Sequence, residues 1–202
     1  MDILVGLLLV VICLRLLNFR DQRARVALLG HFLGKYQIEK LMENLTQGYL
    51  RALGESDPQR QASIWNLLTT AEAELVAQFN AFVLDFSKVS VEQARMSRLP
   101  VALPYAARWL PAYTVDARKL LSLHAHALTQ AASNGGQPSP KGKAFTLMAE
   151  MFLMQHTCHW FCRSKLVASA RLLARHQSPY AQVLASVSPN TRRSYQALLA
   201  AH

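Results

Sequence analysis

The chain begins with an apolar run, Ile3 to Leu14, in which no side chain is polar, and the run resumes after Arg15 with Leu16 and Leu17. Coiled as a helix, Ile3 to Phe19 covers about 25 Å, slightly less than a hydrocarbon core of about 30 Å. Arg15 lies near one end, where its stem stays in lipid and its guanidinium reaches the headgroups. The pattern predicts a transmembrane anchor over 1–20. A cleaved signal peptide fits less well, because Asp2 is the only charged side chain ahead of the run and no A-x-A pattern follows it. A buried core helix is the other alternative, since the unbroken run is short, yet soluble domains seldom open on so continuous an apolar segment.

Beyond the anchor the period changes to that of amphipathic helices. Leu29, Leu33 and Tyr36, then Ile38, Leu41, Leu45 and Tyr49, recur at three and four residues and predict helix as far as Leu53. Asp57 and Pro58 suit an N-cap and a first helical position. From there Ile64, Leu68, Ala71, Leu75, Phe79, Phe82 and Phe86 form one stripe to about Ser87. Ser90 to Gln93 reads as a capping box for a short helix to about Arg98. Pro100, Pro104 and Pro111 forbid a long helix over 99–113. A helix capped by Thr114 is expected to about Ala132, then a linker near 134–142 rich in Gly and Pro. The longest pattern follows, Lys143 to about His176, and Ser178-Pro179 and Ser188-Pro189 open two short terminal helices. No stretch alternates for long enough to read as a strand. The fold class expected is all-α: one transmembrane helix, then a bundle of about five to seven helices over 21–202. A second span over 144–161 is disfavoured by Glu150, Gln155, His156 and His159, which are costly in lipid.

Charge adds an orientation. Arg15, Arg20, Arg23 and Arg25 follow the apolar run against Asp21 alone, so the basic flank is expected to stay in the cytoplasm. The N-terminus then lies outside a plasma (inner) membrane, and the body is cytoplasmic. The formal net charge is +10, concentrated late: residues 141–202 carry eight Lys and Arg against Glu150. Such a tail favours an anionic surface, meaning anionic lipid headgroups or a membrane protein or membrane-associated complex as partner. Nucleic acid is disfavoured, for no recognition motif is present. Cys13, Cys158 and Cys162 are too few for a disulfide framework and fit a reducing compartment.

Candidate chemistry is densest in one stretch. At 100° per residue Met151, Met154, Cys158 and Cys162 share a helix face with His159 at its margin, a soft-ligand set for Cu(I), or for zinc with the histidine. The same residues also make a good core, and Phe152, Leu153, Trp160 and Phe161 render the helix apolar on nearly every side. That reading is preferred, and no cofactor is expected. Arg163, Arg171 and Arg175 fall on the broad face opposite the Met/Cys face, forming a candidate partner- or lipid-binding surface. Tyr105, Trp109 and Tyr113, beside Arg98 and Arg108, suit a membrane-interface or partner contact, although loop aromatics more often pack on the body. No P-loop, G-x-S-x-G, H-E-x-x-H or haem-attachment motif occurs, which leaves no reason to predict an enzyme. The expected role is a membrane-anchored helical adaptor, scaffold or assembly subunit. The alternatives are metal or haem handling by the Met/Cys/His helix and binding of anionic lipid.

Overall fold

The computed structural model describes residues 2–133 and 139–201. Helix α1, Asp2–Leu33, is continuous through residue 20, so the expected anchor and the first helix of the body are one element. Its two ends have different surroundings. Every residue from Ile3 to Leu17 is exposed, whereas Leu29 is buried, with Leu28, Phe32 and Leu33 packed beside it in the core. Among the described residues α1 is the one helix long and apolar enough to cross a membrane.

The body is all-α. Its helices of seven residues or more are α2 (Ile38–Gly54), α3 (Pro58–Phe86), α6 (Ala117–Ala132), α7 (Pro140–Cys162), α8 (Lys165–His176), α9 (Tyr180–Ser186) and α10 (Pro189–Ala200). Two four-residue helices, α4 (Val91–Ala94) and α5 (Ala106–Trp109), lie between α3 and α6. Two of the caps read from the sequence are present: the Asp57 carboxylate accepts the amide of Gln59 at 2.8 Å, and the Ser188 hydroxyl accepts that of Thr191 at 3.1 Å.

Helices α2 and α3 pair along the stripes read from the sequence, burying Leu41, Leu45 and Tyr49 against Leu68, Leu75 and Phe79. Phe79, Phe82 and Phe86 continue as an aromatic row that meets Phe32 of α1 edge-on at 5.6 Å and Phe161 of α7 at 5.8 Å. The stretch 144–161 is the centre of the body. Apolar on all sides, α7 is surrounded by α1, α2, α6, α8 and α9. A buried polar contact ties three of these elements together. Glu72 of α3 accepts from the Tyr49 hydroxyl of α2 at 2.7 Å and pairs with the Lys143 ammonium of α7.

Four expectations are corrected. The helix expected to run from Ser90 to Arg98 stops at Ala94, and Arg95–Ser97 (β1) pairs antiparallel with Thr114–Asp116 (β2). Three residues are too few to show an alternating pattern. The cap of α6 is Asp116, whose carboxylate accepts the amide of Arg118 at 2.9 Å, because Thr114 is engaged in the strand. The helix expected from Lys143 to His176 breaks after Cys162. Arg163 leaves helical geometry (φ −132°, ψ −99°), and the Ser164 hydroxyl caps α8 by accepting the amide of Val167. Finally, the aromatics of 99–113 do not pack on the body: Trp109 is 75 % exposed and Tyr113 57 %. Of the linker expected near 134–142, residues 134–138 lie outside the described residues, while Ser139 caps α7 and residues 140–142 form its first turn.

Candidate functional site

The break at Arg163 determines where the basic residues go. Helix α8 folds back along α7. Ser169 meets the His156 ring at 3.1 Å, and one turn earlier in α7 the Phe152 ring stacks on His176 at 3.8 Å. The His176 imidazole also meets the Gln155 amide oxygen at 2.7 Å. An antiparallel α8 brings Arg171 to the side of α7 that carries the sulfur atoms.

There the C-terminal half of α1, α2, α7 and α8 enclose an open cavity of about 270 Å³. Leu29, Leu33, Ile38, Met42, Met154 and Cys158 supply its apolar lining, and Cys162 and His159 continue it toward Arg163 and Arg171. Glu39 stands on the α2 side. A second cavity of about 160 Å³ shares Glu39, Met42 and Gln155 with the first and extends the groove to Arg175 and His176. The two sets of residues that a continuous helix separates therefore share one groove. Placing Arg163, Arg171 and Arg175 opposite the Met/Cys face is incorrect, because the 100° rule does not carry across the bend at Arg163. The signal that marks the bend is Ser164, a residue suited to an N-cap inside an otherwise unbroken pattern.

The individual residues differ in what they offer. Arg171 and Arg175 are exposed. Arg163 is half-buried and donates to the Gln22 side-chain oxygen of α1, so it joins α7 to α1 as well as lining the groove. Met151 is fully buried and faces the core, away from the groove. Burial pushes the Cys158 thiol up to about 12, and Cys162 and Glu39 push the same way. Burial likewise raises Cys162 to about 11, even though Arg163, Arg171 and Arg25 oppose the shift. Both sulfurs are thus neutral thiols, poor as ligands or nucleophiles. His159 is held below its ordinary range, first by burial and then by Arg171 and Arg175, and stays a neutral imidazole. Among the described residues no three His, Cys, Asp or Glu side chains gather as a metal site. The groove has soft apolar walls, a cationic α8 side and an acidic α2 side.

Arg108 and Trp109 lie elsewhere, in α5. Arg108 lines a larger cavity of about 670 Å³ with Asp21, Ala24, Arg25 and Leu28 of α1 and Glu92 and Arg95 beyond α3. Arg98, grouped with them by sequence, has a structural task. Its guanidinium donates to the carbonyls of Leu199 at 2.6 Å and Ala201 at 3.0 Å, closing the end of α10. Comparison of the chain with protein-family models, curated proteins and solved structures gives no match.

Proposed function

We propose that this chain is a membrane-anchored adaptor or assembly subunit whose α1–α2–α7–α8 groove holds a helix of a membrane-associated protein. The observation that carries the reading is the gathering of Met42, Met154 and Cys158 with Arg171 and Arg175 along one open groove. Unbranched, polarizable side chains accommodate the anchor residues of an amphipathic helix, as in other helix-in-groove contacts. The charges select its flanks: acidic residues toward α8, basic residues toward Glu39 and Glu43 of α2. The cationic flank of α1, with Arg15, Arg20, Arg23 and Arg25 after its apolar run, supports a body at the inner face of a plasma membrane. No bond chemistry is involved; the function is localisation joined to surface complementarity.

The test is native mass spectrometry of the full chain extracted in mild detergent, beside Arg171→Glu/Arg175→Glu, with a photo-crosslinker introduced at Met42. A polypeptide that crosslinks from the groove and is lost by at least tenfold in the double variant supports the reading. A folded double variant that retains its associated polypeptide overturns it.

A further inference from the structure

We infer that the proline-aromatic segment 99–113 is a second membrane contact, which seats in the headgroup layer of the same bilayer that α1 enters. The inference rests on the reading of α1 as a span. Its starting point is where the fold attaches the segment. The Asn18 side-chain amide donates to the carbonyl of Ala102 at 3.4 Å, one residue past the end of the exposed apolar run. Below that point Leu99, Val101, Ala102, Leu103 and Ala106 face Asn18, Asp21 and Arg25 across a narrow crevice. The Arg25 guanidinium reaches the Arg95 carbonyl at 2.9 Å, and Pro100 accepts the amide of Leu166 at 3.0 Å. The segment is thus bonded to α1 at Asn18 and lies against it at the level of residues 18–25, a height of about 10 Å. The headgroup region on one side of a bilayer is about 5–8 Å thick, so the Asn18–Ala102 end of that height falls within it.

The segment's exposed face suits that layer. Val101, Leu103, Trp109, Leu110 and Tyr113 are all exposed large apolar residues. Pro100 and Pro111 are exposed beside them, and Arg108 adds a cation. Trp and Tyr prefer the interface, where an apolar ring and a polar atom are both accommodated. An apolar run about 5 Å short of the hydrocarbon thickness draws its flank toward the membrane, which presses the segment further in. Arg15, Arg20 and Arg23 are exposed on α1 near the same level, so the neighbouring surface is cationic and matches anionic headgroups. Two attachment points, span and segment, would fix the tilt of the body and hence the height at which the groove is presented.

The test uses the full chain in vesicles of zwitterionic and anionic phospholipid, brominated either near the headgroup or near the chain ends. Trp109→Phe isolates the Trp109 emission from that of Trp65 and Trp160, and Val10→Trp, in a Trp109→Phe background, reports on the span. Loss of most Trp109 emission with headgroup-proximal bromine, and less with bromine at the chain ends, is the expected result. Undiminished Trp109 emission together with strong deep quenching at position 10 overturns the inference and leaves the span standing. Absence of quenching at both positions overturns the span, and the inference with it.

Discussion

At the scale of single residues, the polar groups inside the body make the sharpest predictions. Lys143 neutralises Glu72, which is 4 % exposed and already accepts the Tyr49 hydroxyl. Lys143→Ala leaves that carboxylate buried without its cation, and a loss of about 3–5 kcal/mol in denaturant unfolding is expected. Lys143→Ala together with Glu72→Gln should recover part of it, because no buried charge then remains. His124 gives a dependence on pH. Its Nε2 meets the Thr157 hydroxyl at 2.8 Å; since that hydroxyl donates to the Leu153 carbonyl, Nε2 carries the proton. Burial, with His156 adding to it, pushes His124 down to about 3, and burial pushes His156 down to about 4. Below the ordinary histidine value of 6.5, the unfolded chain therefore takes up protons that the folded chain refuses. Stability falls as the pH drops from about 6.5 toward 4, by about 1.4 kcal/mol per unit for each imidazole. Glu150 acts in the opposite direction, since burial raises its carboxyl and the folded chain holds that proton first. His124→Asn should flatten the slope by one imidazole's share, read from thermal unfolding in detergent between pH 7 and 4.5. An unchanged slope would show that His124 is protonated in the folded chain.

At the scale of elements, the turn between α7 and α8 decides the site. Ser164 is the cap that restarts the helix, and Ser164→Ala is expected to cost about 1 kcal/mol. Hydrogen exchange should show the loss in the first turn of α8, at Leu166 and Val167, with α7 unchanged. The opposite pattern would mean that the bend is imposed from Arg163 and its contact with α1. The periodic stripes of α2 and α3 were legible because each buries one face against one neighbour, so that a three- and four-residue spacing survives in the sequence. In α7 no residue from Thr146 to Cys162 is exposed, and the pattern loses its phase. The bend after Cys162 and the partners of Cys158 were hidden for that reason. β1 and β2 were hidden by their shortness, and their pairing is between segments that α5 and a 3-10 turn separate.

At the scale of the whole molecule, one helix carries two kinds of surface. The exposed apolar run of α1 has no cover within the body, while its last three turns are packed into the core through Phe32 and through Arg25, which lies over the Phe161 ring at 5.6 Å. Val10→Arg places a charge near the middle of the run, at a cost of about 2.5–3.5 kcal/mol for membrane insertion. The expected outcome is transfer of the chain from the carbonate-resistant membrane fraction to the soluble or aggregated fraction. Retention of the variant in the resistant fraction would count against α1 as the anchor. Because α1 is continuous, the body cannot swing freely about residue 20, and the groove keeps a set direction relative to the helix axis.

The sequence by itself determined the all-α class, the apolar N-terminal helix, the caps at Asp57 and Ser188, and the buried faces of α2 and α3. Each of these depends on neighbours along one helix, where spacing in sequence is spacing in space. Only the tertiary structure decided that Arg171 and Arg175 share a groove with Met154 and Cys158, that Arg98 closes α10, and that Ala102, in the segment carrying the exposed Trp109, meets Asn18 at the end of the apolar run. Those relations run between elements, across the bend after Cys162 and the turns around three prolines. The direction in which a chain leaves such a turn is set by the packing it meets, not by the residues that precede it.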